Sequence, residues 1–210
     1  MNIIILGDKY QKRMKSRGCV GLIKLQNKNI LHHQYKILTN KFALSKIVYI
    51  YGFDNKRLLS YLEKNNQAYS QLEFVHNNRY DQYNNAYSLS LVKEYLDDDL
   101  LIMFGDKILT ANTFSKFDSS KFSQIFIDHN SQSKLGCIIH NNKVENICYD
   151  LDNNLSEIYF ISRDQAQDLK KIVSNPSFYN YFVFELLNKM IDSNQTIVPH
   201  FINKKTSNAI

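Results

Sequence analysis

A doubly wound α/β fold is predicted by three features of this chain. Short apolar runs recur at Ile3–Leu6, Ile47–Tyr51, Leu72–Val75 and Leu100–Phe104, each suited to a buried strand of a parallel sheet. The segments between them carry apolar residues at helical spacing, and this alternation packs helices over a sheet. The run Leu100–Phe104 then leads straight into Gly105-Asp106. Ligands of such sheets bind beyond the carboxyl ends of the strands, so Asp106 is the first candidate for chemistry.

The elements follow in order. Ile3–Leu6 is a central strand, and residues 7–20 form a polar, basic loop. Residues 30–42 place Ile30, Leu31, Tyr35, Ile37 and Leu38 on one helical face. Ile47–Tyr51 is a strand ended by Gly52, and Asn55–Glu63 is a helix with Leu58, Leu59 and Leu62 together. Leu72–Val75 is a third strand, Asn85–Leu96 a helix opened by an Asn-rich turn, and Leu100–Phe104 a fourth strand. The second half changes character. Phe122–Asp128, Gly136–His140, Lys143–Tyr149 and Ile158–Ile161 read as short strands, with Asn141-Asn142 as a hairpin turn. Ser162-Arg163-Asp164 caps a helix to about Ile172, Phe178–Ile191 is a helix, and Thr196–Phe201 a last strand.

Bulk composition sets limits on function. At 210 residues, with 44% hydrophobic and 22% charged residues, the chain is long enough for one domain with a sizeable core. Two prolines and six glycines leave no flexible linker, and there is no internal repeat. No apolar run approaches the ~20 residues of a membrane span, and Ile3–Leu6 lacks the charged flank of a signal peptide. Membrane insertion is therefore not expected. Three cysteines, with no CxxC pair, fit a reducing cytoplasm and argue against a disulfide framework or a Cys-based zinc site. The net charge of +6 is concentrated early, at Lys9, Lys12, Arg13, Lys15, Arg17, Lys24 and Lys28. No recognition motif accompanies these residues, so a nucleic-acid partner is not expected.

Other constellations carry less. His32 and His33 are adjacent and point apart on a helix, and His76, His129, His140 and His200 show no ligand spacing. Asp97-Asp98-Asp99 sits in the turn before a strand, at the end away from ligands, and reads as a solvated loop. Ser88 lies in no Gly-x-Ser-x-Gly context. Asn84 and Asn85, at a helix start, suit either of two roles: capping the helix or reading a base or ribose.

The order of these pieces resembles the nucleotidyltransferase branch of the GT-A fold, and more closely the bacterial choline-phosphate cytidylyltransferase type. The resemblance runs over nearly the whole chain. Its most specific part is Tyr83-Asn84-Asn85-Ala86-Tyr87-Ser88-Leu89, followed at the expected distance by Gly105-Asp106. His76-Asn77 and the Lys24–Lys36 segment also fit. It implies a single GT-A-like, Rossmann-like domain over residues 1–210, with a mixed, mostly parallel central sheet flanked by helices. Residues 1–110 would be the nucleotide-side half and 111–210 the acceptor-side half.

What the resemblance implies for function is transfer of a nucleotidyl group from an NTP, CTP favoured, to a small phosphorylated alcohol, amino alcohol or sugar, for surface-polymer synthesis. Such chemistry is positioning and charge neutralisation. Magnesium would be the cofactor, held by Asp106 together with phosphate oxygens. Arg13 and Asp106 would be catalytic. Leu6, Gly7, Lys12, Arg13, Asn84, Asn85, Ser88 and Gly105 would touch the nucleotide or position its loop. Tyr83, Tyr87, Tyr159 and Glu185 would face the acceptor; Phe178, Tyr179 and Tyr181 are further candidates for holding a quaternary ammonium by cation–π contact, and Asp150, like Glu185, for supporting the cation with its carboxylate. A homodimer or a partner subunit is left open.

The chain also departs from the family's pattern. The family's loop reads Leu-Ala-Ala-Gly-x-Gly-x-Arg-Met, and here the register gives Leu6-Gly7-Asp8-Lys9-Tyr10-Gln11-Lys12-Arg13-Met14. Lys9 and Gln11 replace both motif glycines, where a Cβ obstructs close approach to phosphates. Asp8 is expected to set a negative charge beside those phosphates. The family's Pro-Lys pair falls at Cys19-Val20, and its second metal carboxylate would lie past Ile210. Lys12, Lys15, Arg17 or Lys24 are candidates to replace the missing lysine. Three weakened requirements support an alternative: a catalytically degenerate domain serving as a binding or regulatory module. A glycosyltransferase of the same fold would show Asp-x-Asp, which Gly105-Asp106-Lys107 does not supply.

Overall fold

The computed structural model describes residues 1–9, 12–119 and 122–202, with the side chains of residues 12–14 and 66 left out of the description. Eleven strands are β1 Asn2–Gly7, β2 Lys24–Leu25, β3 Lys28–Asn29, β4 Lys46–Tyr51, β5 Leu72–His76, β6 Leu100–Phe104, β7 Ser123–Ile127, β8 Leu135–His140, β9 Lys143–Tyr149, β10 Leu155–Ile161 and β11 Ile197–Phe201. The α-helices among the described residues are α1 Ile30–Lys41, α2 Asn55–Asn65, α3 Asn85–Ser90, α4 Arg163–Ser174 and α5 Val183–Asp192.

Seven strands form one sheet in the order β11-β7-β10-β6-β1-β4-β5. The pairs β1–β4, β1–β6, β4–β5 and β7–β11 are parallel. β10 is antiparallel to both β6 and β7. The sheet is therefore mixed and mostly parallel, and it draws strands from both halves of the chain. Because β10 alone runs backwards in this sheet, its first residues lie beside the carboxyl ends of the others. That reversal brings a piece of the second half to the ligand edge of the first.

Both faces of the sheet are buried, which is why β1, β4 and β6 read as unbroken apolar runs. Successive side chains alternate between two cores. Ile4, Leu6, Val48, Ile50 and Ile102 pack under α3, α4 and α5 with Leu89, Leu169 and Leu187. Ile3, Ile5, Ile47, Tyr49 and Met103 pack under α1 and α2 with Leu31, Leu38 and Leu58. The β8–β9 hairpin turns on Asn141 and Asn142, with φ of 49° and 59°. Both angles suit a two-residue hairpin, as the sequence predicts.

Three local expectations are corrected. The helix expected over Asn85–Leu96 ends at Ser90, with a 3-10 turn at Lys93–Tyr95. Ser90 Oγ donates to the Tyr87 carbonyl, competing with the helical ladder there. The helix expected over Phe178–Ile191 is a 3-10 turn at Pro176–Phe178 and then α5, which starts only at Val183. There the Glu185 carboxylate accepts the Phe182 N–H at 2.7 Å and fixes the start. Ser162 occupies the N-cap position of α4 without capping it, since its hydroxyl turns toward the Gln165 side chain. No helix among the described residues is long and apolar enough to cross a membrane.

Candidate active site

The ends of β1 and β6 meet over one aromatic ring. Tyr49, fully buried, carries its hydroxyl between Gly7, Gly21 and Gly105. A Cβ on Gly7 would lie 2.1 Å from that hydroxyl, and one on Gly21 2.4 Å away. A Cβ on Gly105 would come within 2.8 Å of the Gly7 Cα. The Gly105 N–H donates to the Leu6 carbonyl at 2.8 Å, extending the parallel pairing one residue past β6. Gly7 and Gly105 thus let the two strand ends close together.

Asp8 does not face a ligand. It is fully buried, and its Oδ2 accepts from Asn77 Nδ2 and Ser88 Oγ, both at 2.7 Å. Its Oδ1 has no hydrogen bond among the described residues. Burial pushes the carboxyl above its usual range, opposed by the Ser88 hydrogen bond and the nearby Lys9 charge. The expectation that Asp8 sets a charge beside phosphates is therefore corrected: a buried polar group is held by partners, and these turn it inward. Lys9, the next residue, is half-buried and lines the cavity. Its ammonium donates to the carbonyls of Tyr80 and Tyr83. Burial lowers the Lys9 pKa, while Asp8 and Asp81 favour its charged form.

The turn after β6 is held from α1. Gln34 is fully buried, and its Nε2 donates to the carbonyls of Phe104 at 3.0 Å and Lys107 at 2.8 Å. Between them stands Asp106. Lys107 Nζ is ion-paired with Glu157 and lies 3.9 Å from Asp106 Oδ1. Glu157 has φ of 59°, a left-handed conformation that an L side chain rarely adopts. It stands where the pairing of β10 with β7 shifts register, between Leu155 and Tyr159. Such a bulge re-aims a side chain; here the carboxylate joins the cavity beside Lys107 and Asp106.

The cavity measures about 580 Å³. Its lining includes Lys9, Tyr80, Asp81, Asn84 and Asn85 together with the aromatic Tyr149, Tyr159, Phe182 and Phe184. Phe182 and Phe184 stack at 6.0 Å, and Tyr149 meets Phe184 edge-on at 5.6 Å. Asn84 is the N-cap residue of α3, yet its side chain donates to the Asn180 carbonyl at 2.7 Å and caps nothing. Asn85 is 3% exposed, and its carboxamide makes no hydrogen bond among the described residues.

Of the residues expected in the site, Leu6, Asn84, Asn85, Asp106 and Tyr159 line this cavity, while Gly7 and Gly105 are chain neighbours of lining residues and do not line it themselves. Ser88 is fully buried on Asp8, so of its two expected roles its placement fits positioning. Tyr83 and Tyr87 form a separate cluster with Tyr179, at 4.9–5.5 Å between ring centres, and do not line the cavity. Glu185 caps α5 instead. The side chains of Lys12 and Arg13 lie outside the described residues. The sequence reading did not single out Lys9, Lys107, Glu157, Tyr149, Phe182 or Phe184 as cavity groups. Val20, standing where the resemblance places a lysine, also lines it.

The donor set fits one divalent cation held jointly with a ligand. Magnesium takes one or two carboxylates and completes its shell with phosphate and water oxygens. Asp106 offers one carboxylate at a strand end, and Glu157 brings a second to the same cavity. Among the described residues no group of three or more His, Cys, Asp or Glu side chains forms a protein-only cage.

The chain is similar to known proteins along almost its full length, although no family model matches it. It is 24% identical over 198 residues to the choline-phosphate cytidylyltransferase of Streptococcus pneumoniae, covering 90% of this chain and 81% of that protein. Among solved structures, the CTP:phosphocholine cytidylyltransferase of Streptococcus pneumoniae superposes with a TM-score of 0.73 at 18% identity, covering 96% of this chain and 90% of that one. An inositol-1-phosphate CTP transferase from T. maritima superposes with a TM-score of 0.75 at 17% identity, covering 97% and 86%. The resemblance read from the sequence is borne out, and the fold is that of the α/β nucleotidyltransferases.

Proposed function

We propose that this protein transfers a nucleotidyl group, CMP from CTP, to a small phosphorylated amino alcohol. One observation carries the reading: the enclosed Asn85 carboxamide, bonded to no described protein group, shares a cavity with Asp106. A carboxamide offers a donor and an acceptor side by side, which matches the amine and ring nitrogen of cytosine. The relatives act on CTP with phosphocholine or inositol-1-phosphate, by their names, and this supports the substrate class. Tyr149, Tyr159, Phe182 and Phe184 give the same cavity an aromatic lining, and Glu157 lines it too. Aromatic faces with a nearby carboxylate suit a cationic amino alcohol.

The chain's own groups orient the reaction. Asn84 and Asn85 hold the base side, and the aromatic wall holds the acceptor with its phosphate toward the strand ends. Asp106 stands on the phosphate side, where it would act through a bound cation, and Glu157 stands beside the aromatic groups, where its charge suits the acceptor ammonium. Magnesium, when bound, would be held by Asp106 and would neutralise the triphosphate as pyrophosphate leaves. A second reading, a binding module without turnover, is favoured by Lys107, whose ammonium already bridges toward both carboxylates, and by Val20 in place of lysine.

Calorimetric titration with each of the four NTPs, with and without magnesium, beside a pyrophosphate-release assay with phosphocholine, tests the proposal. Magnesium-dependent CTP binding and pyrophosphate release, both lost in Asp106→Ala, are expected. Binding without release selects the second reading. Absence of binding to every NTP sinks both.

A further inference from the structure

Two of the residues that break the expected phosphate loop, Asp8 and Lys9, act on one segment of the chain. Asp8 accepts from Asn77, at the start of that segment, and from Ser88, inside α3 at its end. Lys9 donates to the carbonyls of Tyr80 and Tyr83, between those points. Two consecutive side chains therefore hold both ends and the middle of Asn77–Ser88. Their own backbone is fixed as well, because the Asp8 carbonyl accepts the Phe53 N–H at 3.0 Å and Asp8 directly follows β1. The segment so held carries Asn84 and Asn85, two of the polar groups on the cavity wall.

Simple loss of a phosphate loop does not account for this arrangement. A carboxylate drifting into a vacated loop would stay solvated, since burying it without partners is strongly unfavourable. Here the carboxylate is completely enclosed and receives two short hydrogen bonds on one oxygen. An ammonium has three donors. Two of the three donors of Lys9 are spent on neutral carbonyls of the segment. From its other side the segment is tied to the turn before α5, where Asn84 N–H donates to the Tyr179 carbonyl and Ala86 N–H to the Tyr181 carbonyl, each at 3.0 Å. Those bonds place its far edge; Asp8 and Lys9 place its near edge, at the end of the central strand.

We propose that Asp8 and Lys9 form a clasp that sets Asn84 and Asn85 in their binding geometry before a ligand arrives. Both are positioning residues. The glycine that the resemblance places at residue 9 would let the backbone approach phosphate; in this chain the same position orders the base side of the cavity instead. Restoring glycine there is therefore expected to weaken nucleotide binding. The ligand half of this inference rests on the nucleotide reading above, whereas the clasp itself does not.

Amide exchange of the ligand-free protein, compared among the unaltered chain, Lys9→Gly, Lys9→Met and Lys9→Arg, tests the clasp. Exchange at Gln82, Tyr83, Asn84 and Ala86 should rise about tenfold in the Gly and Met variants while β6 stays protected, because local opening follows the lost bonds. Arg, which also presents several donors, should largely restore protection. Calorimetry with CTP and magnesium should show about tenfold weaker binding for Lys9→Gly, a loss on the scale of one or two charged hydrogen bonds. Unchanged exchange overturns the clasp, and CTP affinity that is equal or higher in Lys9→Gly overturns its role in positioning. If the unaltered protein binds no nucleotide, the transferase reading falls and the exchange data alone decide the clasp. Lys9→Met keeps the apolar stem, so it guards against a Gly variant that fails to fold.

Discussion

Gln34 Nε2 donates to the Lys107 carbonyl at 2.8 Å, across 73 positions of sequence, from inside the fold. With its second bond, to the Phe104 carbonyl, it spans the turn that presents Asp106. Gln34→Leu is expected to leave both carbonyls without this donor and to lower stability by about 1–3 kcal/mol. Urea unfolding measures that loss, and calorimetry should show weaker magnesium-dependent NTP binding. An unchanged midpoint with unchanged affinity would remove Gln34 from the support of the site.

The left-handed backbone at Glu157 makes a prediction that depends on which small residue replaces it. Holding an L residue in that region costs about 1–2 kcal/mol, and glycine is free of the penalty. Both Glu157→Gly and Glu157→Ala lose the ion pair with Lys107, which is partly exposed and worth little by itself. The Gly variant should therefore be more stable than the Ala variant by about 1 kcal/mol. Equal thermal and urea midpoints for the two would show that residue 157 is not strained. The Gly variant should also bind a cationic acceptor less tightly than the unaltered chain.

Asp8 predicts a pH dependence of stability. Burial raises its folded pKa above the ordinary 3.8. Between those two values the native protein retains a proton that the unfolded chain has released. The contribution of Asp8 is thus fully present below pH ~3.8 and is lost as pH rises through the folded value. Asp8→Asn lacks this loss. The difference in unfolding free energy, variant minus unaltered chain, should rise with pH from about 4 and level off above the folded value. Parallel stability curves from pH 4 to 7 would contradict it.

Much of the fold was legible because burial on both faces leaves an unmistakable apolar run. Ile3–Leu6, Ile47–Tyr51 and Leu100–Phe104 became the centre of the sheet, and Asn141-Asn142 made the predicted turn. A candidate residue's place was legible where it follows from its element, as for Asp106 at a strand end or Asn85 at a helix start, both of which line the cavity. It was not legible where a side chain's direction is set by tertiary contacts. Lys9 reads as a lost glycine until the carbonyls of Tyr80 and Tyr83 are beside it. Glu157 sits in a strand sequence that gives no sign of the bulge. Tyr149, Phe182 and Phe184 come together only when the β8–β9 hairpin lies against α5, a pairing with no local signal.

The ring of Tyr49 bears on which substitutions this chain can accept. Gly7, Gly21 and Gly105 come from three separate stretches, yet all three meet a single hydroxyl. An added methyl group would run into that hydroxyl at Gly7 and Gly21, and into the Gly7 backbone first at Gly105. Position 9 stands outside that lock, its ammonium turned to the carbonyls of Tyr80 and Tyr83. A side chain is accommodated there without disturbing the strand ends, and this chain carries Lys9. The junction of the central strands is thus kept by close packing together with the Gly105–Leu6 hydrogen bond, whatever becomes of the chemistry above it.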